Sequence, residues 1–324
     1  MNRLYDIISA GELLIDFTPC KEAHTYTANP GGAPANVAVS AARNGLKVGF
    51  LGMVGNDDFG RRLQATLTEN NITPLCNKLT DEAVTTMAFV TLYENGERSF
   101  TFTRKPGADL LIRPDDYNRD DAANCTIFNT GSFSLTNEPA RSTYIEAVKN
   151  ASKAGAIISF DINYRDAVWH SEAACLDIIK EIIPYVDLLK ISDEELFFVG
   201  GEDNIETFMN EYGITAVIET LGSKGSKYYY KGKRAVIESM KVKAVDATGA
   251  GDAFWGGFLS SLVMQKVTSV ADINETIIET ALKYGNTSGG LCVTRMGGIP
   301  GIPTKADINN ALLQWPRYSA PLML

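Results

Sequence analysis

The densest chemistry in the chain lies at residues 246–258, Asp-Ala-Thr-Gly-Ala-Gly-Asp-Ala-Phe-Trp-Gly-Gly-Phe. Asp252 stands there at the start of an apolar helical stretch, directly after the turn Gly249-Ala250-Gly251. A helix start exposes backbone N–H donors and a partial positive charge, and glycine lets that backbone come close to an anion. The segment therefore reads as a phosphate cradle. A carboxylate beside a phosphate is repelled unless it takes up a proton, so Asp252 reads as the base for a hydroxyl attacking that phosphate. An acidic residue in a first helical turn also has a purely structural explanation in the helix dipole. Two glycines weigh against it, because each costs roughly 1 kcal/mol relative to alanine inside a helix and a structural cap needs at most one. Cradle and base together point to phosphoryl transfer.

Five further clusters could serve that chemistry. Asn29-Pro30-Gly31-Gly32-Ala33-Pro34-Ala35-Asn36 precedes an apolar helix; Gly31 and Gly32 permit close approach, and Asn36 both donates and accepts, as a polyhydroxylated ligand requires. The same residues also suit a Pro-Gly turn that merely starts a helix. Asp16, after Gly11-Glu12-Leu13-Leu14-Ile15, is a ligand for sugar hydroxyls or a turn residue. Asp161-Ile162-Asn163-Tyr164-Arg165 follows an apolar strand, where open α/β sheets bind ligands, and Arg165 there either neutralises phosphate oxygens or forms a surface ion pair. Past the next strand, Glu195 could organise hydrated magnesium or simply favour a helix start. Glu219-Thr220-Leu221-Gly222-Ser223-Lys224-Gly225 has the small residues and cation of a nucleotide phosphate loop without being a Walker A sequence. No Gly-x-Gly-x-x-Gly is completed after a strand, which disfavours a dinucleotide-binding dehydrogenase.

The elements that must position these residues alternate. Strand-length apolar runs at 5–10, 48–54, 126–129, 157–161, 188–191 and 216–220 are separated by helical patterns at 35–44, 60–70, 139–153 and 171–183, and the chain ends in helices at 250–264, 272–289 and 304–314. This order predicts an α/β fold with a mainly parallel sheet covered by helices. Two stretches, about 13–30 and 83–104, alternate Thr, Val, Phe and Tyr with no long helix, and read as a small antiparallel β lid inserted in one domain spanning 1–324. An apolar lid face needs a cover, and a second subunit would supply it, giving a homodimer through the lids.

The 324 residues, 45% hydrophobic and 21% charged, carry a net charge of −9, which argues against nucleic acid or anionic membrane as partner. Cys20, Cys76, Cys125, Cys175 and Cys292 are scattered without Cys-x-x-Cys spacing, suggesting buried thiols in a reducing compartment, and no signal or membrane-spanning segment is visible. A cytoplasmic location is expected. His24 and His170 are the only histidines and read as surface residues.

With these pieces in order, the chain resembles the ribokinase-like, or PfkB-type, carbohydrate kinases over nearly its whole length. The resemblance rests on Gly31-Gly32-Ala33-Pro34-Ala35-Asn36 through Gly45 and Gly55, and on Asp246 to Asp252, with softer support from Gly11 to Phe17 and from Arg104 to Asp109. It implies a three-layer ribokinase-like fold and transfer of the γ-phosphate of ATP to a primary hydroxyl, with magnesium, and D-fructose as the expected acceptor. Alternatives are 2-keto-3-deoxygluconate, another ketose or a nucleoside, or, without catalysis, a sugar-binding regulator. Asp252 would be the base, with Gly249, Ala250 and Gly251 forming an anion hole. Asp16, Gly31, Gly32, Asn36, Arg104 and Arg165 match substrate positions, and Ser192, Glu195, Thr220, Gly222, Gly225 and Asn286 match nucleotide positions. Asp246, Thr248, Cys292, Arg295 and Gly297 match a potassium site. Ser192 stands where many relatives carry Asn, Ala247 where Thr or Pro is common, and Gly301 where Ser often helps hold the cation.

Overall fold

The structure, a computed structural model, describes residues 3–20, 22, 24–92, 98–314 and 322–323. Its centre is a ten-stranded sheet. Seven strands run parallel, in the spatial order Ala216–Thr220, Leu188–Ser192, Ile157–Asp161, Cys125–Gly131, Tyr5–Ala10, Val48–Leu51 and Ile72–Pro74. Ser226–Tyr230, Lys233–Ile237 and Leu322–Met323 extend one edge antiparallel. The central strands are buried on both faces, which is why they read as unbroken apolar runs. Successive residues point to opposite faces. Ile8, Phe128, Ile158 and Leu189 join the core under the helices Ala140–Lys153 and Glu172–Ile182. Ile7, Ile127, Ile157 and Leu188 meet the helices Ala33–Arg43, Ala250–Met264 and Glu275–Cys292.

Two details differ from the sequence expectation. The apolar run 48–54 divides: Val48–Leu51 stays in the main sheet, whereas Val54–Gly55 pairs with Leu79–Thr80 in a separate two-stranded piece. The hairpin joining Ser226–Tyr230 to Lys233–Ile237 was not expected; its Lys231-Gly232 turn has φ of 49° and 76°, the two left-handed residues that a tight hairpin demands.

A second sheet of four strands stands over the carboxyl ends of the first, in the order Tyr26–Gly31, Leu14–Pro19, Met87–Leu92, Arg98–Thr103. Its outer pairs are antiparallel and its central pair is parallel. Residues 21, 23 and 93–97 of the expected lid segments lie outside the described residues. The lid's phenylalanines do not share one uncovered face. Phe102 turns inward to Leu14, Ala88 and Phe133, so the chain covers that side itself. Phe17 and Phe89 stack at 4.7 Å on the opposite side, with Tyr26 edge-on to Phe89. Cys20 is exposed while the other four cysteines are buried, and both histidines are exposed. Among the described residues no helix is long and apolar enough to cross a membrane.

Candidate active site

The helix Ala250–Met264 begins at Gly249, whose φ of 74° puts it in the left-handed region that glycine tolerates without strain. No side chain caps this start; Ala250 N donates to the Ala247 carbonyl at 3.2 Å, and the N–H groups of Gly249 and Gly251 are left for a ligand. Asp252 lies in the first turn, half-buried. Its Oδ2 accepts a hydrogen bond from Asn36 Nδ2 at 2.7 Å. Burial, reinforced by Asp161, raises its pKa, against the pull of the Asn36 bond and the charges of Lys190 and Arg165. A carboxylate raised toward neutrality in this way is a better proton acceptor.

Asn36 and Asp252 belong to different helices, and a buried polar row fixes both. Ser9, Asn129 and Ser159 sit side by side on three neighbouring strands. Trp255, fully buried one turn after Asp252, donates its indole N–H to Asn129 Oδ1 (3.1 Å) and Ser159 Oγ (2.9 Å). Ser9 Oγ donates to the Pro34 carbonyl at 2.7 Å, and Asn129 Nδ2 donates to Ser9 Oγ at 3.1 Å. The sheet thereby sets the two helices in register. A tryptophan indole that needs a buried acceptor is the signal in the sequence that could have found this row.

On one side of the helix start is a cavity of about 260 Å³, lined by Asp16, Gly32, Asn36, Arg165, Thr248, Gly249 and Asp252 of the expected residues. Glu12, Asn163, Phe100, Phe102 and Phe133 also line it, and the sequence had not marked them as site residues. Asn163 lies in the strand-end cluster that pointed to Arg165, so the same topological rule could have found it. Burial, with Asp252 and Asp246 nearby, pushes the Asp16 pKa up to about 7. Glu12 is likewise pushed up to about 7 by burial; it accepts from Ala33 N (3.0 Å) and Ser134 Oγ (2.5 Å) and so ties the glycine loop down. Gly31 is required behind Asp16, since a Cβ there would overlap the Asp16 carboxylate.

Arg104, which the resemblance matches to a substrate position, has its guanidinium engaged within the protein. It is absent from the cavity wall, because its guanidinium is used behind it: Nε and Nη2 bond Asp109 Oδ2 (2.8 and 2.6 Å), Nη1 bonds Thr136 Oγ1 and Nη2 the Phe133 carbonyl.

On the other side of the helix start lies a cavity of about 700 Å³, lined by Thr220, Gly222, Gly225 and Asn286 together with Ala250 and Gly251. Phe254, Met240, Val242 and Val293 give it apolar walls. Ala247 lines both cavities, so they meet at the helix start. Ser192 and Glu195 lie outside this lining. Glu195 instead braces two loops, its Oε1 accepting from Tyr164 N (2.7 Å) and its Oε2 from Ser192 N (2.8 Å). Lys190, another strand-end residue, is buried and bonds Asp161 at 2.7 Å. Burial disfavours its charge, but Asp161 and Glu195 overcome this and raise its pKa. A Cβ on Gly251 would stand 3.8 Å from its Nζ, which places a fixed cation at the helix start.

Behind that start, Asp246 is buried; its Oδ1 accepts from Thr248 N (2.9 Å) and Oγ1 (2.7 Å), and its Oδ2 from Gly297 N (2.8 Å). Cys292 Sγ points to the Thr248 carbonyl at 3.8 Å, so these four expected cation residues converge. The Arg295 side chain turns away to Asp307 at 3.2 Å. Among the described residues no group of three or more His, Cys, Asp or Glu could hold a metal ion by itself.

Two cavities joined at an uncapped glycine-led helix start, with a half-buried carboxylate between them, define an α/β phosphotransferase acting on a hydroxyl. The pfkB family carbohydrate kinase profile matches residues 5–305, and the chain belongs to that family. It is 39% identical over 312 residues to fructokinase-1 of Oryza sativa subsp. japonica, covering 93% of this chain and 96% of that one. Its fold is similar to that of the fructokinase from Xylella fastidiosa with bound ATP, with a TM-score of 0.87, 30% identity, and 95% and 98% of the two chains covered. It is also similar to a fructokinase double mutant from Vibrio cholerae in a form with fructose, ADP and potassium ion bound, with a TM-score of 0.86, 32% identity, and 96% and 99% covered.

Proposed function

We propose that this chain is an ATP-dependent fructokinase, and that the two cavities meeting at Gly249–Asp252 are its acceptor and nucleotide sites. The observation that carries the reading is that Asp252 lines the smaller cavity while Ala250 and Gly251, in the same helical turn, line the larger. A hydroxyl held by Asp16 and Asn36 gives its proton to Asp252 as it attacks, and the N–H groups of Gly249 and Gly251 receive the developing phosphate charge. Arg165 and Lys190 neutralise more of that charge. Thr220, Gly222, Gly225 and Asn286 hold the nucleotide. The four-stranded sheet, which brings Phe100 and Phe102 to the acceptor cavity, acts as the lid that excludes water.

The donor chemistry fits two ions. Asp161, whose buried Oδ1 has no hydrogen-bond partner in the structure, and Glu195 are carboxylates suited to a hydrated magnesium ion carried by the nucleotide. Magnesium would neutralise phosphate charge there. The buried Asp246 amid the 246–248 and 292–297 loops fits a potassium ion that steadies the anion hole from behind. A second copy of the chain would cover the outer lid face, where Phe17, Tyr26 and Phe89 remain partly exposed.

The test is a coupled ADP-release assay with ATP, magnesium and potassium against fructose, tagatose, ribose, 2-keto-3-deoxygluconate and adenosine. The highest kcat/KM is expected on fructose. A different preferred sugar would replace the acceptor, and no turnover at all would leave a binding protein.

A further inference from the structure

We infer that Phe133 and Asp109 withhold Arg104 from the acceptor cavity, and that this makes Phe133 a specificity-determining residue which selects uncharged polyols over sugar acids. The inference rests on the reading of the smaller cavity as the sugar site. Three carboxylates, Glu12, Asp16 and Asp252, line that cavity, and Arg165 is the one cation among its described lining residues. An anionic sugar entering it meets repulsion that a second arginine would offset.

Arg104 is that arginine by position. Its charge cannot be removed by deprotonation, so only its partners decide whether it is felt in the cavity. Asp109 neutralises it through the two bonds to Oδ2, and Asp109 is itself held by Thr86 Oγ1. The Phe133 ring covers the guanidinium, with 4.2 Å between ring centroid and Cζ, and Phe133 is also a wall of the cavity. Arg104, Asp109 and Phe133 are 8%, 1% and 3% exposed. What the sugar meets is therefore an aromatic surface, continued by Phe102 at 5.2 Å from Phe133, in place of a guanidinium. Such a surface suits the C–H groups of a neutral sugar.

The experiment compares kcat/KM for fructose and for 2-keto-3-deoxygluconate in the wild type, Phe133→Leu, Asp109→Asn, and each of these combined with Arg104→Gln. The wild type is expected to favour fructose by about 100-fold or more, and each single variant to move the ratio toward the acid by about 10-fold, as one gained charge-assisted contact would. Adding Arg104→Gln should cancel the shift, which a merely structural defect would not do. A wild type equally efficient on both sugars would overturn the inference. So would variants that melt cooperatively yet keep the wild-type ratio, or a shift that survives Arg104→Gln. Calorimetric binding of the same two sugars reads the selectivity without turnover, so a failure of the kinase reading stays separate from a failure of this one.

Discussion

The two cavities that meet at the helix start Gly249–Asp252 are made of different materials. The smaller presents directed side chains: the carboxylates of Glu12, Asp16 and Asp252, the amide of Asn36 and an aromatic wall. The larger presents mostly backbone and small residues, with Gly222, Gly225, Gly251, Gly289 and Gly290 beside apolar Phe254 and Val293. Each construction suits its ligand. Hydroxyls are told apart by acceptors fixed in direction, and a site that hydrogen-bonds them rejects analogues lacking them. Phosphates need N–H groups and positive potential, which a helix start supplies without side chains. In the proposed reaction the side chain that acts between the two is Asp252.

Replacing Asp252 should therefore break the comparison most severely. Asp252→Asn preserves shape and the bond to Asn36 but removes the proton acceptor, so kcat is expected to fall on the order of 10²–10⁴-fold. Calorimetry should still find both fructose and ATP bound to the variant. Near-normal turnover would take the base away from Asp252.

How far the sequence carried these conclusions depends on what kind of signal each residue leaves. Asp252 and its glycines were legible because they are contiguous and because their cost to a helix is unusual. The parallel sheet was legible because strands buried on both faces are apolar throughout. The engagement of Arg104 was not legible because the sequence displays a charge but not its partner: Asp109 is five residues on, across a turn. Phe100 and Phe102 were legible as one face of a strand, yet alternation cannot say what covers that face. Phe133 sits in a single 3-10 turn, Ser132–Leu135, too short to leave a periodic pattern, and residues 239–242 and 244, which line the larger cavity, have no regular structure for a pattern to report.

The division between the cavities can be sharpened by disturbing one at a time. Gly31→Ala places a Cβ into the Asp16 carboxylate and must displace it. Loss of a charge-assisted bond of about 1.5–3 kcal/mol predicts a KM for fructose raised roughly 10- to 100-fold, with the KM for ATP within about twofold. Asn286→Ala acts on the other side. Asn286 Nδ2 donates to the Ile237 carbonyl at 2.8 Å and the Glu238 carbonyl at 3.2 Å, tying down the segment that leads to residues 239–244. Loss of neutral bonds worth about 1 kcal/mol predicts a KM for ATP several-fold higher and little change for fructose. Steady-state kinetics with each substrate varied in turn checks both, and equal rises in the two constants for either variant would dissolve the distinction.

The smallest expected effect is in pH dependence, and it too falls on one side. Burial, with Asp252 and Asp246 nearby, raises Asp16 to about 7, so in the free enzyme near neutral pH it is only partly ionised. A neutral carboxyl is a poorer acceptor for a sugar hydroxyl, so kcat/KM for fructose should rise several-fold between about pH 6 and about pH 8. Stability runs the other way. The folded value lies above the ordinary carboxylate value, so Asp16 contributes stability below about pH 4 that is lost as the pH rises through about 7. Denaturant titrations of wild type and Asp16→Asn should thus show the wild type losing ground to the variant across that window. The variant binds fructose more weakly, but its kcat/KM profile should be flatter. A step that persists unchanged in Asp16→Asn would assign the titration to another carboxylate of this wall, Glu12, raised to about 7, or Asp252, which burial also raises.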